Sequence, residues 1–255
     1  MEDAAERAAE AVVRHCRSLI ELAGPACVAA KLQLACFERL GAPGWWALEQ
    51  AAAAAREVGL LVVADGKRGD VPVSAAAYGQ ALFGFTPTPW GEVGGLRADA
   101  ATANPLLGAD ALEPLVDEAA EASAGLFCLV RTSNPGAADI LDAPAPEAPL
   151  FERLATLVAD RADRLLGNRG LSGMGAVVGA TEPRHLARLR ELMPQAIFLI
   201  PGVGAQGGRI EDLAPALGHH PASILVTASR SIAEAPDPAA AAAGMRDRLR
   251  RLARG

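Results

Sequence analysis

At 255 residues, 51% apolar and 21% charged, the chain has enough apolar material to bury a large core, which excludes a disordered segment. A formal charge of −6 and a pI near 5.3 leave no basic field for a polyanion, so nucleic acid is not an expected partner. The apolar runs end in Asp, Lys, Gly or Pro well short of the ~20 residues a membrane helix needs. Met1–Glu10 is acidic and Ala-rich rather than basic and then apolar, so it does not read as an export signal, and no membrane association is expected.

In chain order, apolar segments of strand length fall at Ala26–Lys31, Leu60–Lys67, Ala98–Asn104, Gly125–Ser133, Gly175–Thr181, Ile197–Val203 and Ser223–Ser229. Their apolarity is continuous rather than alternating, as expected of parallel strands covered on both faces. Helical segments are expected at Ala4–Leu22, Gly44–Val58, Ser74–Leu82, Asp110–Ala122, Leu150–Leu166, Glu182–Leu192, Ile210–Leu217 and Pro238–Leu252. Alternating strands and helices predict an α/β protein. Polar and Gly/Pro residues gather just after the strands, which favours a TIM-type (β/α) barrel forming a single domain over residues 1–255.

Thr86–Gly95 and the Pro-rich Asp142–Pro149 read as surface loops, and Trp45 and Trp46 as helix residues packed onto the barrel. Cys16, Cys27, Cys36 and Cys128 lack metal-ligand spacing. The last three lie in apolar segments and are expected as buried thiols, consistent with a reducing cytoplasm and no structural zinc. The four histidines stand apart from any nucleophile pattern and receive no catalytic role, and a metal at His219–His220 is not expected.

The chemistry concentrates at residues 60–71, where an apolar strand runs directly into Asp65, Lys67, Arg68 and Asp70. Strand alternation turns Asp65 and Lys67 to the same face, toward the barrel axis, and leaves Asp70 on the following turn. Gly202, Gly204, Gly207 and Gly208 form a turn whose backbone N–H groups can approach an anion, followed by a helix beginning near Arg209. With Arg230 on the next strand-end loop, this is where a barrel places phosphate. Arg209 itself reads as a surface residue.

The run from Asp65 to Asp70 resembles the Asp-x-Lys-x-x-Asp signature of the orotidine 5′-phosphate decarboxylase family. Val28–Glu38 is similar to the preceding strand of its bacterial long forms, with Lys31 as a further site lysine and Leu32 where the family carries proline. Asp99–Gly108, Thr132–Ala137, Val177–Thr181, Pro201–Gly208 and Ser229–Ile232 resemble later family segments in the same order, so that the likeness covers roughly residues 4–250.

The resemblance implies cofactor-free and metal-free decarboxylation of orotidine 5′-monophosphate to UMP in pyrimidine biosynthesis. Lys31, Asp65, Lys67 and Asp70 form the implied catalytic array, with Lys67 as proton donor. Two lysines held by two aspartates stay charged, as the electrostatics require. Ser74, Ser133, Gln206, Gly207, Gly208 and Arg230 are the implied contacts to a nucleotide 5′-monophosphate. A homodimer is also implied, with Asp70 reaching into the neighbouring subunit.

One departure stands out. The family opens with a strand ending in Gly-x-Asp-Pro, whose Asp binds ribose, and nothing similar precedes Ala4. The barrel is therefore expected either to close on seven strands or to keep a slot between Ala26–Lys31 and Ser223–Ser229, and orotidine 5′-monophosphate turnover by the chain is expected to be weak or absent. Two alternatives follow from the same departure: a diverged member acting on another nucleotide or sugar phosphate, and a non-catalytic nucleotide-binding barrel.

Overall fold

The computed structural model describes residues 3–144, 148–204, 206–218 and 220–254. Its elements in chain order are α1 (Ala4–Ala23), β1 (Ala29–Gln33), α2 (Leu34–Glu38), α3 (Ala42–Glu57), β2 (Leu61–Arg68), α4 (Pro72–Leu82), β3 (Phe85–Thr88), β4 (Gly91–Gly94), β5 (Ala100–Ala103), α5 (Ala109–Glu121) and β6 (Gly125–Arg131). They continue as α6 (Ala137–Ile140), α7 (Leu150–Ala159), β7 (Ser172–Val178), α8 (Arg184–Leu192), β8 (Ala196–Ile200), β9 (Ile224–Val226), α9 (Arg230–Ala233) and α10 (Pro238–Leu252). All seven expected strands form one parallel sheet in the order β1-β2-β5-β6-β7-β8-β9. The sheet is curled, in the α/β class of the TIM barrels.

Two cores follow from the pleat. Side chains pointing away from the barrel axis, such as Val62, Ala64, Leu126, Cys128 and Ala176, are buried under the helices in the larger core. Those pointing inward fill the barrel: Val63, Ala100, Phe127, Val177 and Leu199, one each from five successive sheet strands, form a separate apolar plug. Gly175 makes room for the plug, because a Cβ there would sit 2.5 Å from the Phe127 ring. The helix starts are equally local in origin. The Asp3 side chain accepts the Ala5 N–H in a capping box with Glu6, and Asp237 accepts the Ala240 N–H.

Several sequence expectations are corrected. The segment read as a surface loop at Thr86–Gly95 is largely an antiparallel hairpin, β3–β4, outside the barrel sheet. The helix expected after Arg209 is a 3-10 segment, Ile210–Ala216. Trp45 and Trp46 are half-exposed, and Trp46 borders a cleft against Glu6 and Ala9 of α1 rather than the barrel. Of the cysteines, only Cys128 is fully buried; Cys36 is exposed because it lies on the outer side of α2, and Cys27 is half-buried. Of the Pro-rich segment, residues 145–147 lie outside the described residues, as does His219.

Among the described residues no strand joins β1 to β9. The helices nonetheless come round, since α1 packs on both α3 and α10. The sheet thus stays open where the helical layer is continuous. A groove of about 470 Å³ lies between Ala29 and Lys31 on one side and Ile224, Val226 and Thr227 on the other, backed by Met245 and Leu249 of α10. Of the two outcomes expected at this place, the slot is the one observed.

Candidate active site

The strands carry their polar residues to one rim, where a cavity of about 610 Å³ opens above the apolar plug. That volume is in the ordinary range for small-molecule sites, about 300–1,000 Å³. Lys31, Asp65, Lys67, Ser133, Gln206 and Arg230, six residues singled out in the sequence, all line it.

Asp65 is the hub. It continues the inward face of β2 one step beyond Val63, so a carboxylate stands directly on the apolar plug with its side chain 7% exposed. Lys31 Nζ donates to Asp65 Oδ2 at 2.5 Å, and Lys67 Nζ donates to Oδ1 at 2.5 Å. Burial works to raise the Asp65 carboxyl, but the charges and hydrogen bonds of Lys31 and Lys67 together outweigh it and hold the group below the usual carboxylate range. Within the chain both ammoniums converge on a single carboxylate. Asp70 makes no ion pair with either lysine in the chain; its Oδ1 accepts the Val71 N–H at 2.7 Å on the turn into α4.

The backbone at Lys67 is unusual. Its φ is +49°, in the left-handed region that a non-glycine residue enters at a cost of about 1–3 kcal/mol. Opposite it, the β2–β5 ladder is interrupted between Ala64 and Arg68. Thr102 of β5, 1% exposed, occupies the interruption: its Oγ1 accepts the Lys67 N–H at 2.9 Å and donates to Asp65 Oδ1 at 2.9 Å. Sequence reasoning passed over Thr102, since a threonine in an alanine-rich strand carries no motif. The available signal was its being the one polar side chain in Ala100–Ala103.

Across the cavity, Ser133 Oγ donates to Gln206 Oε1 at 2.8 Å, joining the loops after β6 and β8. Gly179 permits this approach, since a Cβ there would lie 2.6–2.8 Å from Ser133. Arg131, buried at the end of β6, braces the same loop. It donates to both oxygens of Asp142 at 2.7 and 3.0 Å and to the Thr132 carbonyl at 2.7 Å. The Arg131 hydrogen bonds hold the Asp142 carboxyl below its usual range. His185 sits 4.0 Å from Asp142 with Nε2 buried and without a hydrogen-bond partner among the described residues, and burial pushes its pKa down.

The glycine turn differs from expectation in one respect. Gly202, Gly204 and Gly207 all have positive φ, and the turn folds on itself: the N–H groups of Gly204, Gly207 and Gly208 donate to the carbonyls of Gly208, Gly204 and Gly202. Those three donors are therefore engaged within the loop, and among the described residues the turn brings Gly202, Val203 and Gln206 to the cavity. Arg230, exposed on the rim at the start of α9, is the cation beside it, whereas Arg209 lies on the surface 3.8 Å from Glu211. Ser74 lies in the first turn of α4 and does not line the cavity.

Fold and rim together define a class of protein: a (β/α)-barrel enzyme with a lysine–aspartate array over an apolar plug and an arginine on the same cavity rim. The chain belongs to the orotidine 5′-phosphate decarboxylase / HUMPS family, whose profile matches residues 9–245. It is 42% identical over 215 residues to an orotidine 5′-phosphate decarboxylase of Deinococcus radiodurans, covering 84% of this chain and 74% of that protein. A Roseiflexus castenholzii protein of the same name is 37% identical over 255 residues, covering 99% and 86%. The solved structure of Leishmania donovani OMP decarboxylase superposes with a TM-score of 0.79 at 33% identity, covering 97% of this chain and 90% of that one.

Proposed function

We propose that the chain is a carboxy-lyase converting orotidine 5′-monophosphate to UMP in pyrimidine synthesis, as a single catalytic domain. The observation that carries the reading is the Lys31–Asp65–Lys67 array, in which one buried carboxylate holds two ammoniums at 2.5 Å. Breaking the bond between ring carbon and carboxylate leaves an electron pair in the plane of the pyrimidine, where the ring π system does not reach it. A fixed ammonium at that carbon stabilises the developing charge, and the nearby Asp65 disfavours the carboxylate that departs. Lys67 then gives its proton to the carbanion, CO2 leaves, and the neutral amine recovers a proton from solvent. Nothing in this sequence calls on a cofactor.

Substrate placement follows from the rest of the rim. Ser133 and Gln206, already hydrogen-bonded to each other, face the base, and Arg230 takes the 5′-phosphate. Ser74, Gly207 and Gly208 are held over as contacts that substrate or a partner subunit brings into play. A homodimer in the cytoplasm is the assembly this reading includes. Its support is an apolar rim beside Asp70: Val71 and Val73 at the start of α4 and Leu106 and Leu107 on the loop after β5 are exposed, and the Asn104 N–H ties the ends of β5 and β2 together by donating to the Arg68 carbonyl at 2.8 Å. The test is CO2 release and UMP formation from orotidine 5′-monophosphate by the purified chain; no turnover by the folded protein would rule the reading out.

A further inference from the structure

We infer that Thr102 is a positioning residue for the proposed decarboxylation, setting the place of the Lys67 ammonium through the backbone. The inference rests on the proposed function for its kinetic readout only. Three observations meet at this side chain. Lys67 has φ +49° where a strand residue would be extended. The β2–β5 register runs Val63↔Ala100 and Ala64↔Ala101 and resumes only at Arg68↔Ala103, so residues 65–67 bulge out of the ladder opposite Thr102. The Thr102 hydroxyl accepts the Lys67 N–H and donates to Asp65 Oδ1, both at 2.9 Å.

The consequence is geometric. In an unbroken parallel ladder a residue's N–H bonds a backbone carbonyl of the neighbouring strand. A bulge removes that partner and re-aims the side chain it carries. Here a side-chain oxygen replaces the lost carbonyl, holding Lys67 in the bulged conformation that brings its Nζ back to Asp65, two residues earlier on the same strand. The hydroxyl's single proton goes to Asp65 Oδ1, so one group orients both members of the pair. Thr102 borders the cavity but is 1% exposed, and with its single proton given to Asp65 Oδ1 it is not a substrate donor in its own right.

The experiment compares Thr102→Val, which keeps shape and β-branching but loses both hydrogen bonds, with Thr102→Ser, which keeps the hydroxyl. Because the lost contact is not one with substrate, Thr102→Val should lower kcat on the order of 100-fold with KM changed by less than about threefold, while Thr102→Ser stays near wild type. Amide hydrogen exchange supplies a readout independent of activity: the Lys67 N–H should lose protection in Thr102→Val and retain it in Thr102→Ser. Wild-type kcat in Thr102→Val with Lys67 still protected would overturn the inference. So would equal losses in both variants, since the hydroxyl that Ser retains would then not be what holds Lys67. If Thr102→Val does not fold, Thr102→Ser alone decides, its retained kcat and protection supporting the hydroxyl and their loss refuting it. If the wild type does not decarboxylate orotidine 5′-monophosphate, the proposed function fails, and the exchange data still decide for or against Thr102.

Discussion

Lys67 Nζ lies 2.5 Å from Asp65 Oδ1, two residues back along the same strand. An ammonium that close to a buried carboxylate is fixed in place before substrate arrives, which is the condition for electrostatic catalysis without reorganisation. Lys67→Ala deletes both the charge and the proton source. Turnover should fall by at least about a thousand-fold, since each loss alone is of order 10²–10³ or more, while the folded state persists. Circular dichroism and a progress curve together check this, and near-native turnover from a folded variant would remove Lys67 as the donor.

Asp65 gives a pH signature. Its carboxyl is held below the ordinary value of 3.8, so the ionised form is favoured in the folded state. For a depressed acid the stabilisation is fully present above the unfolded pKa and is lost as pH falls through the lower folded one. Urea unfolding across pH 3–7 should therefore show stability flat near neutrality and falling at the acid end. Asp65→Asn should flatten that acid slope and lower stability near pH 7 by about 1.5–3 kcal/mol, as when a hydrogen bond to a charged group is removed. An unchanged acid slope in the variant would place the titration elsewhere.

Arg230 stands exposed at the rim, so its contribution to a bound phosphate is expected at the low end for charged hydrogen bonds. Arg230→Ala should weaken UMP by about 1.5 kcal/mol and leave uridine unaffected. Calorimetric titration of both ligands into both proteins separates the effects, and equal affinity of the wild type for uridine and UMP would contradict a phosphate site here.

The exposed Val71, Val73, Leu106 and Leu107 beside Asp70 are the surface a dimer would cover. Sedimentation velocity should give a dimer, and Val73→Glu should shift it to monomer and reduce turnover together. A monomer with undiminished specific activity would separate Asp70 from any neighbouring site.

The groove between β1 and β9 has largely apolar walls and two strand edges that no strand pairs among the described residues, an arrangement that loses backbone hydrogen bonds and invites pairing. Fusing ahead of α1 a strand of the Gly-x-Asp-Pro type should fill it, adding at least about 1 kcal/mol of stability, or roughly 2–4 °C in Tm. The fused strand should also raise turnover of orotidine 5′-monophosphate above that of the 255-residue chain. Equal melting and equal turnover of the two forms would mean that the slot costs nothing.

What the sequence determined by itself was periodic or compositional. Seven apolar segments became the seven sheet strands, and the alternation that turned Asp65 inward, two residues after Val63, is a property of extended backbone, whereas Lys67 departs from it at φ +49°. Arg230 was singled out by its place after a strand, and Ser133 and Gln206 by the family resemblance; that all three line one cavity is what the structure adds. The tertiary structure alone decided how these groups pair. Lys31 and Lys67 meet one aspartate because β1 and β2 lie side by side, while Asp70 turns away to bond its own α4 turn. The glycine turn spends the N–H groups of Gly204, Gly207 and Gly208 on its own carbonyls, which glycine content does not reveal. Thr102 acquires its role only because register is lost between Ala64 and Arg68, 35 or more residues before it in the chain. Side-chain direction is set by the local pleat, whereas hydrogen-bond partners across strands are set by register, and register depends on the packing of every strand at once.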